Sequence, residues 1–156
     1  MIDYKIYINY NKYGMLEASR LKDEYHFFHF GANQGVTHYH DKNYKVAIDS
    51  LEKHVSYFEK NKDSIGPYMG ELPFIYYYAG ESYLGLNQPE KAIEYFKKVD
   101  TIFLKTESLF PTLKGTYNRL KDYYKEKKDP ESQITYINHE KYIYESFNQV
   151  TSCQWR

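Results

Sequence analysis

Cysteine is nearly absent: Cys153 stands alone among 156 residues. An internal disulfide and any cysteine-based zinc site are therefore excluded. Charge of one sign is missing too, since Lys plus Arg and Asp plus Glu both number 21 and the net charge is zero. Nothing like the basic stripe of an autonomous nucleic-acid binder is present, and direct nucleic-acid binding by this chain is not expected. Long apolar runs are lacking as well. The longest are short and interrupted by charge, so neither a transmembrane helix nor a secretory signal can be drawn, and no membrane insertion is expected. Turn residues are sparse, and Asp63-Ser64-Ile65-Gly66-Pro67 is the one turn-rich link. What is abundant is tyrosine, with 20 residues. Two readings fit: bulk with a solvated hydroxyl on long half-exposed helices, or an aromatic surface that faces a ligand.

The most informative segment is YYYAGESYLGLNQPEKAIEYF, residues 76 to 96. The segment has a large residue, then small-Gly, then Tyr, a short break, then Ala and an aromatic four residues on. Here these are Tyr76, Ala79-Gly80, Tyr83, Ala92 and Phe96. This order resembles the tetratricopeptide (TPR) signature, which implies two antiparallel helices that cross closely. A shift of 45 residues back lays Gly35, His38, Ala47 and Leu51 on Gly80, Tyr83, Ala92 and Phe96. A shift of 41 forward lays Tyr117, Leu120, Tyr124, Ile134 and Ile137 on Tyr76, Ala79, Tyr83, Ile93 and Phe96, but puts Lys121 and Gln133 where Gly80 and Ala92 stood. The third helix pair is therefore expected to splay or to act as a terminal cap. The resemblance implies an all-α fold, an α-solenoid of about three TPR-like helix-turn-helix repeats. Residues 1–148 form the repeat domain and 149–156 a frayed tail carrying Trp155.

Helix signals place helices at 3–20, 22–40, 44–61, 70–86, 89–104, 109–127 and 131–148. The first reads as a helix cut from a longer array. Asp41 or Asn43 caps the third, whose apolar positions are Val46, Ala47, Leu51, Val55 and Phe58. Pro89 and Pro130 sit at first helical positions, where the missing N–H costs nothing, and Pro111 marks the first turn of the sixth.

Residues 99–138, with Asp100-Thr101-Ile102-Phe103, Phe110-Pro111, Tyr117, Leu120, Tyr123-Tyr124 and Lys127-Lys128-Asp129, are similar to the last repeat region of Bacteroidetes regulators that carry a TPR array ahead of a helix-turn-helix domain. After Ile137 the chain departs from that pattern with Asn138-His139-Glu140-Lys141, and DNA binding is not carried over. The resemblance implies the sensor segment of a bacterial transcriptional regulator, cytoplasmic, or periplasmic if the regulator spans a membrane.

Catalytic and metal readings find little purchase. His26, His29, His38 and His40 are close in sequence but lack a matching carboxylate, and His38 takes a packing position of the repeat. Glu71, Glu81 and Asp100 are scattered carboxylates, Ser50 and Ser82 have no positioned base, and Lys125-Glu126-Lys127-Lys128 is a helix C-terminus. No catalytic residue, metal or cofactor is expected. Recognition remains. In a TPR frame the first helix of each pair lines the concave face. Repeat frames starting at Phe28, Pro73 and Lys114 turn inward His29, Ala32, Val36 and Tyr39, then Phe74, Tyr77, Glu81 and Leu84, then Gly115, Asn118, Asp122 and Lys125. A protein or peptide partner is expected in this groove on His29, Val36, Tyr39, Phe74, Tyr77, Glu81, Leu84, Asn118 and Asp122. The alternatives are a small-molecule sensor, or a spacer whose groove is filled by its own chain or a second copy in a homo-oligomer.

Overall fold

The computed structural model describes residues 4–61, 71–109 and 111–153, with side chains as far as Glu145. The link at 63–67 and Trp155 lie outside the described residues. Seven helices are found among them: α1 (Tyr4–Arg20), α2 (Glu24–His40), α3 (Tyr44–Lys60), α4 (Glu71–Gly85), α5 (Pro89–Thr106), α6 (Leu113–Glu126) and α7 (Pro130–Cys153). The fold is all-α, 86% helix, and no strand occurs among the described residues. Each helix packs on the next in sequence, and α2 also touches α4, as expected of a solenoid-like array.

One turn recurs. Lys22, Lys42, Asn87 and Lys128 all have a left-handed backbone near φ +55 to +61°. At each, the N–H of the following residue bonds back to a carbonyl five positions earlier: Asp23 to Ala18, Asn43 to His38, Gln88 to Tyr83 and Asp129 to Tyr124. This is the Schellman closure, which satisfies carbonyls left open at a helix end. Lys42, Asn87 and Lys128, the turns within the three helix pairs, are 45 and 41 residues apart, the same shifts that relate the sequence copies.

The small residues do what the pattern asks of them. A Cβ on Gly35 would stand 2.7 Å from Leu51 Cγ, and one on Gly80 would stand 2.7 Å from Phe96 Cε1. Ala47, Leu51, Ala92 and Phe96 are fully buried, and Tyr83 is nearly so. The core is one continuous cluster through α2 to α6, from Ala32 to Leu120.

Several expectations are corrected. Asn43 is the N-cap of α3 without a side-chain bond, and Asp41 ends α2. Val46 is 40% exposed, because it lies one residue off the stripe of Ala47, Leu51, Val55 and Phe58; Ile48 and His54 are buried instead. Pro111 sits in a turn ahead of α6, which begins at Leu113 after Thr112. With no Gly or Pro to stop it, α7 continues to Cys153, past the boundary expected at 148.

The largest difference is in α7. The 41-residue shift would bury Ile134 and Ile137, yet they are 55% and 44% exposed. The residues turned inward are Tyr136, His139, Glu140 and Ile143, and a shift of 40 matches them to the buried Phe96, Val99, Asp100 and Phe103 of α5. One residue corresponds to about 100° of rotation, so α7 is rolled about its axis relative to α5. Lys121 and Gln133 explain the roll. They are too large for the close crossing that Gly80 and Ala92 permit, and α6 and α7 meet instead through a sheltered ion pair between Lys121 and Glu140.

Candidate functional site

The inward face is built from α2, α4 and α6, the first helices of the three pairs. Its centre is an ionic knot. Arg119 donates through Nε to Glu81 Oε1 at 2.6 Å and through its terminal nitrogen to Oε2 at 2.8 Å. Tyr39 Oη donates to the same Oε2 at 3.3 Å. Glu81 is 5% exposed, so one carboxylate ties α2, α4 and α6 together. Bidentate geometry makes such a pair strong and fixes its orientation. Glu81 also favours the charged Arg119, and burial followed by the nearby Glu81 pushes the Tyr39 phenol up to about 12. Glu81 was expected to meet a partner. In the structure both of its oxygens accept hydrogen bonds from Arg119 and Tyr39.

Around this knot stand half-buried rings. Tyr39 and Tyr78 meet edge to face at 5.2 Å, Phe74 and Tyr78 at 4.8 Å, and Tyr77 and Tyr78 at 5.3 Å. Tyr77 reaches further inward. Its ring lies 5.9 Å from Phe96, and a Cβ on Gly115 would stand 2.5 Å from its hydroxyl. Tyr77 therefore joins two helix pairs, and its removal is expected to disturb packing. Leu84 is half-buried at the far end of α4, and Val36 and Ala32 are buried. Asn118 and Asp122 are exposed one turn apart on α6. Sequence reasoning missed Tyr78 and Arg119. Tyr78 follows Tyr77 in an unbroken aromatic run, and Arg119 is the lone arginine near a repeat position whose partner lies 38 residues away.

His29 lies apart from this cluster. Its Nδ1 is 3.1 Å from Glu71 Oε1, which also accepts Tyr25 Oη at 3.4 Å, and its Nε2 accepts from Asn33 Nδ2 at 3.0 Å. The bond to Glu71 raises its pKa against the opposing effect of burial. His26 turns to Asp23, which caps α2, and not toward His29.

Two open notches flank the array. One of about 540 Å³ runs between α1 and α2, lined by Ile6, Tyr10, Asn11, Asn33, Val36 and Thr37 among others. The other, about 340 Å³, lies between the α5–α6 turn, α6 and α7, with Leu109, Pro111, Lys114 and Ile143 in its walls.

Fold and face together define a class, the all-helical array of solenoid type whose inner face is aromatic and internally ion-paired. Comparison with known proteins found no matching family model, curated relative or solved structure. Among the described residues no helix is long and apolar enough to cross a membrane.

Proposed function

We propose that this chain is a non-enzymatic TPR-type interaction module that holds a peptide segment of a protein partner on its inner face, as the sensor segment of a bacterial transcriptional regulator. The observation that carries the reading is the cluster of Tyr39, Phe74, Tyr77 and Tyr78, partly exposed beside a knot of Glu81 and Arg119. These rings stay partly exposed, packed edge to face on one another, with Tyr39 tied by its hydroxyl to Glu81. Such preorganised aromatic groups are typical anchors of binding hot spots, because little side-chain freedom remains to be lost on association. Exposed Asn118 and Asp122 border them with hydrogen-bonding groups suited to peptide backbone. A small-molecule sensor would need a more enclosed cavity with convergent polar groups. The notches at both ends are open, which favours the peptide reading.

The test is site-specific photocrosslinking in the native host. A crosslinker at Asn118 captures a partner, one at Glu94, exposed on α5, does not, and Phe74→Ala lowers capture more than about tenfold, or ~1.4 kcal/mol, with the helical circular dichroism retained. Equal capture from both positions, or none lost with Phe74→Ala, would place the working surface elsewhere.

A further inference from the structure

Helix α2 is gripped from two sides, and an imidazole sits in each grip. Toward α4, His29 donates through Nδ1 to Glu71 Oε1, and the Tyr25 hydroxyl donates to the same oxygen. Further along both helices Tyr39 donates to Glu81, so α2 and α4 are tied at two places. Toward α3, Gly31 lies so close to His54 that a Cβ there would overlap Nε2, and Ser50 Oγ donates to the Gly31 carbonyl at 3.0 Å. The Phe28 ring meets the same imidazole edge to face at 5.5 Å.

The two imidazoles answer a proton in opposite ways. Nε2 of His29 accepts from Asn33; once it is protonated, Asn33 has only to turn its amide over, and the cation gains Glu71. Glu71 from α4 and Tyr25, stacked at 6.0 Å on the same helix, are the titratable groups that face it, and among the described residues neither α1 nor α3 sets a charge that acts on it. The bond to Glu71 raises its pKa, so this tie is at full strength below the unfolded value of about 6.5 and weakens as pH rises through the folded one. His54 is the reverse case. Its Nδ1 donates to the Ser50 carbonyl and its Nε2 has no partner, so a second proton would point at the Gly31 backbone, whose carbonyl Ser50 already holds. From α2 it meets Gly31 and Phe28; the neighbouring Lys53 is the charge that acts on it, and among the described residues no carboxylate does. Burial lowers its pKa, so this contact is whole above about 6.5 and is lost as pH falls from there. His38 lies beside Lys12 of α1 and Asp41 and belongs to neither grip.

We infer that α2 is a proton-operated element of the fold, released from α4 when His29 loses its proton and from α3 when His54 gains one, and held from both sides only in a band around pH 6.5. Alkaline release begins at the His29 end. It leaves the Tyr39–Glu81 tie as a pivot, because the Tyr39 phenol keeps its proton up to about 12, and it opens one wall of the ring cluster on the inner face. Acid release loosens the crossing behind that wall and leaves the ties to α4 in place. The device stands on the packing of α2 and not on partner binding.

Two measurements on the full chain test this. Imidazole resonances followed by nuclear magnetic resonance are expected to titrate above about 6.5 for His29 and below it for His54, and Glu71→Gln lowers the His29 midpoint. Backbone hydrogen exchange, corrected for the intrinsic effect of pH, reads the grips themselves. From about pH 6.5 to about 8, protection falls several-fold in the first halves of α2 and α4 and not in α3. From about pH 6.5 to about 5, it falls around Gly31 and His54 and not in α4. Glu71→Gln abolishes the first response alone, and His54→Leu the second alone, with His54→Gln in its place where leucine does not fit against Gly31. Midpoints on the same side of about 6.5, exchange that changes alike in α3 and α4, or an alkaline response that survives Glu71→Gln overturns the inference.

Discussion

Several tyrosine hydroxyls in this protein bond to carboxylates on other helices. Tyr83 and Tyr95 share Glu52, Tyr76 donates to Glu59, and Tyr117 donates to Asp100, which also faces His139. A residue that supplies bulk to a crossing thus also supplies a directional tie to the helix across it. Asp100 is 6% exposed, and a hydrogen bond to a sheltered charge is worth more than one at the surface. Tyr117→Phe is expected to lower unfolding free energy by about 1–3 kcal/mol in urea denaturation. Phe96→Ala removes a fully buried ring against Gly80 and should cost about 3–5 kcal/mol, and Gly80→Leu should overpack the same crossing. A loss under about 1 kcal/mol for Phe96→Ala would contradict the packing described. His54 adds an acid-side signature. It is 2% exposed, its Nδ1 donates to the Ser50 carbonyl, and Nε2 has no partner. Burial lowers its pKa. Below the unfolded value of about 6.5, the unfolded chain binds more protons than the folded one, so stability falls as pH drops through that region. His54→Leu should flatten the slope of unfolding free energy between about pH 5 and 7.

Turns and crossings belong to the scale of the element. The left-handed position in each hairpin suits glycine, yet Lys42 and Lys128 occupy two of them. A lysine there carries a steric penalty from its Cβ. Lys42→Gly is expected to stabilise by up to about 1 kcal/mol, read as a higher urea midpoint with unchanged slope. Loss of stability would mean that the lysine stem packs usefully on the surface. At this scale the sequence was most legible. Gly35, Ala47, Gly80 and Ala92 mark close crossings by their size alone, and Pro89 and Pro130 mark helix starts. The left-handed lysines were not legible, because nothing in a lysine signals that conformation. Nor was the roll of α7. Apolar residues at 134 and 137 fit the repeat as well as those at 136 and 143, and only the bulk of Lys121 across the crossing decides between them. In the site, the rings of α4 could be read from the repeat frame. The pairing of Glu81 with Arg119 could not, since it depends on how two helix pairs stack.

For the whole molecule, the abundance of buried phenols sets an alkaline limit. Burial, assisted by hydrogen bonds to Glu59, Glu52 and Asp100, raises the pKa values of Tyr76, Tyr83, Tyr95 and Tyr117, and burial carries Tyr136 to about 12. In the unfolded chain tyrosine titrates near 10. Above that pH the unfolded chain holds fewer protons than the folded one, so the phenols' contribution to stability is constant below about pH 10 and is lost progressively above it. Near-ultraviolet tyrosinate absorbance should appear together with loss of helical circular dichroism. Phenols that ionise while the helices persist would show that the hydroxyls are not sheltered.

Because each helix leans chiefly on the next, among the described residues no substantial contact ties the two ends of the array together. Pulled from its termini, it should therefore extend in successive steps and not in one break. The first step should come from α7, where the close crossing of small residues has given way to Lys121 and Glu140. An ion pair between two side chains has less to resist stretching than rings interlocked over a glycine, so the array would lengthen from its C-terminal pair while the Gly35 and Gly80 crossings still hold.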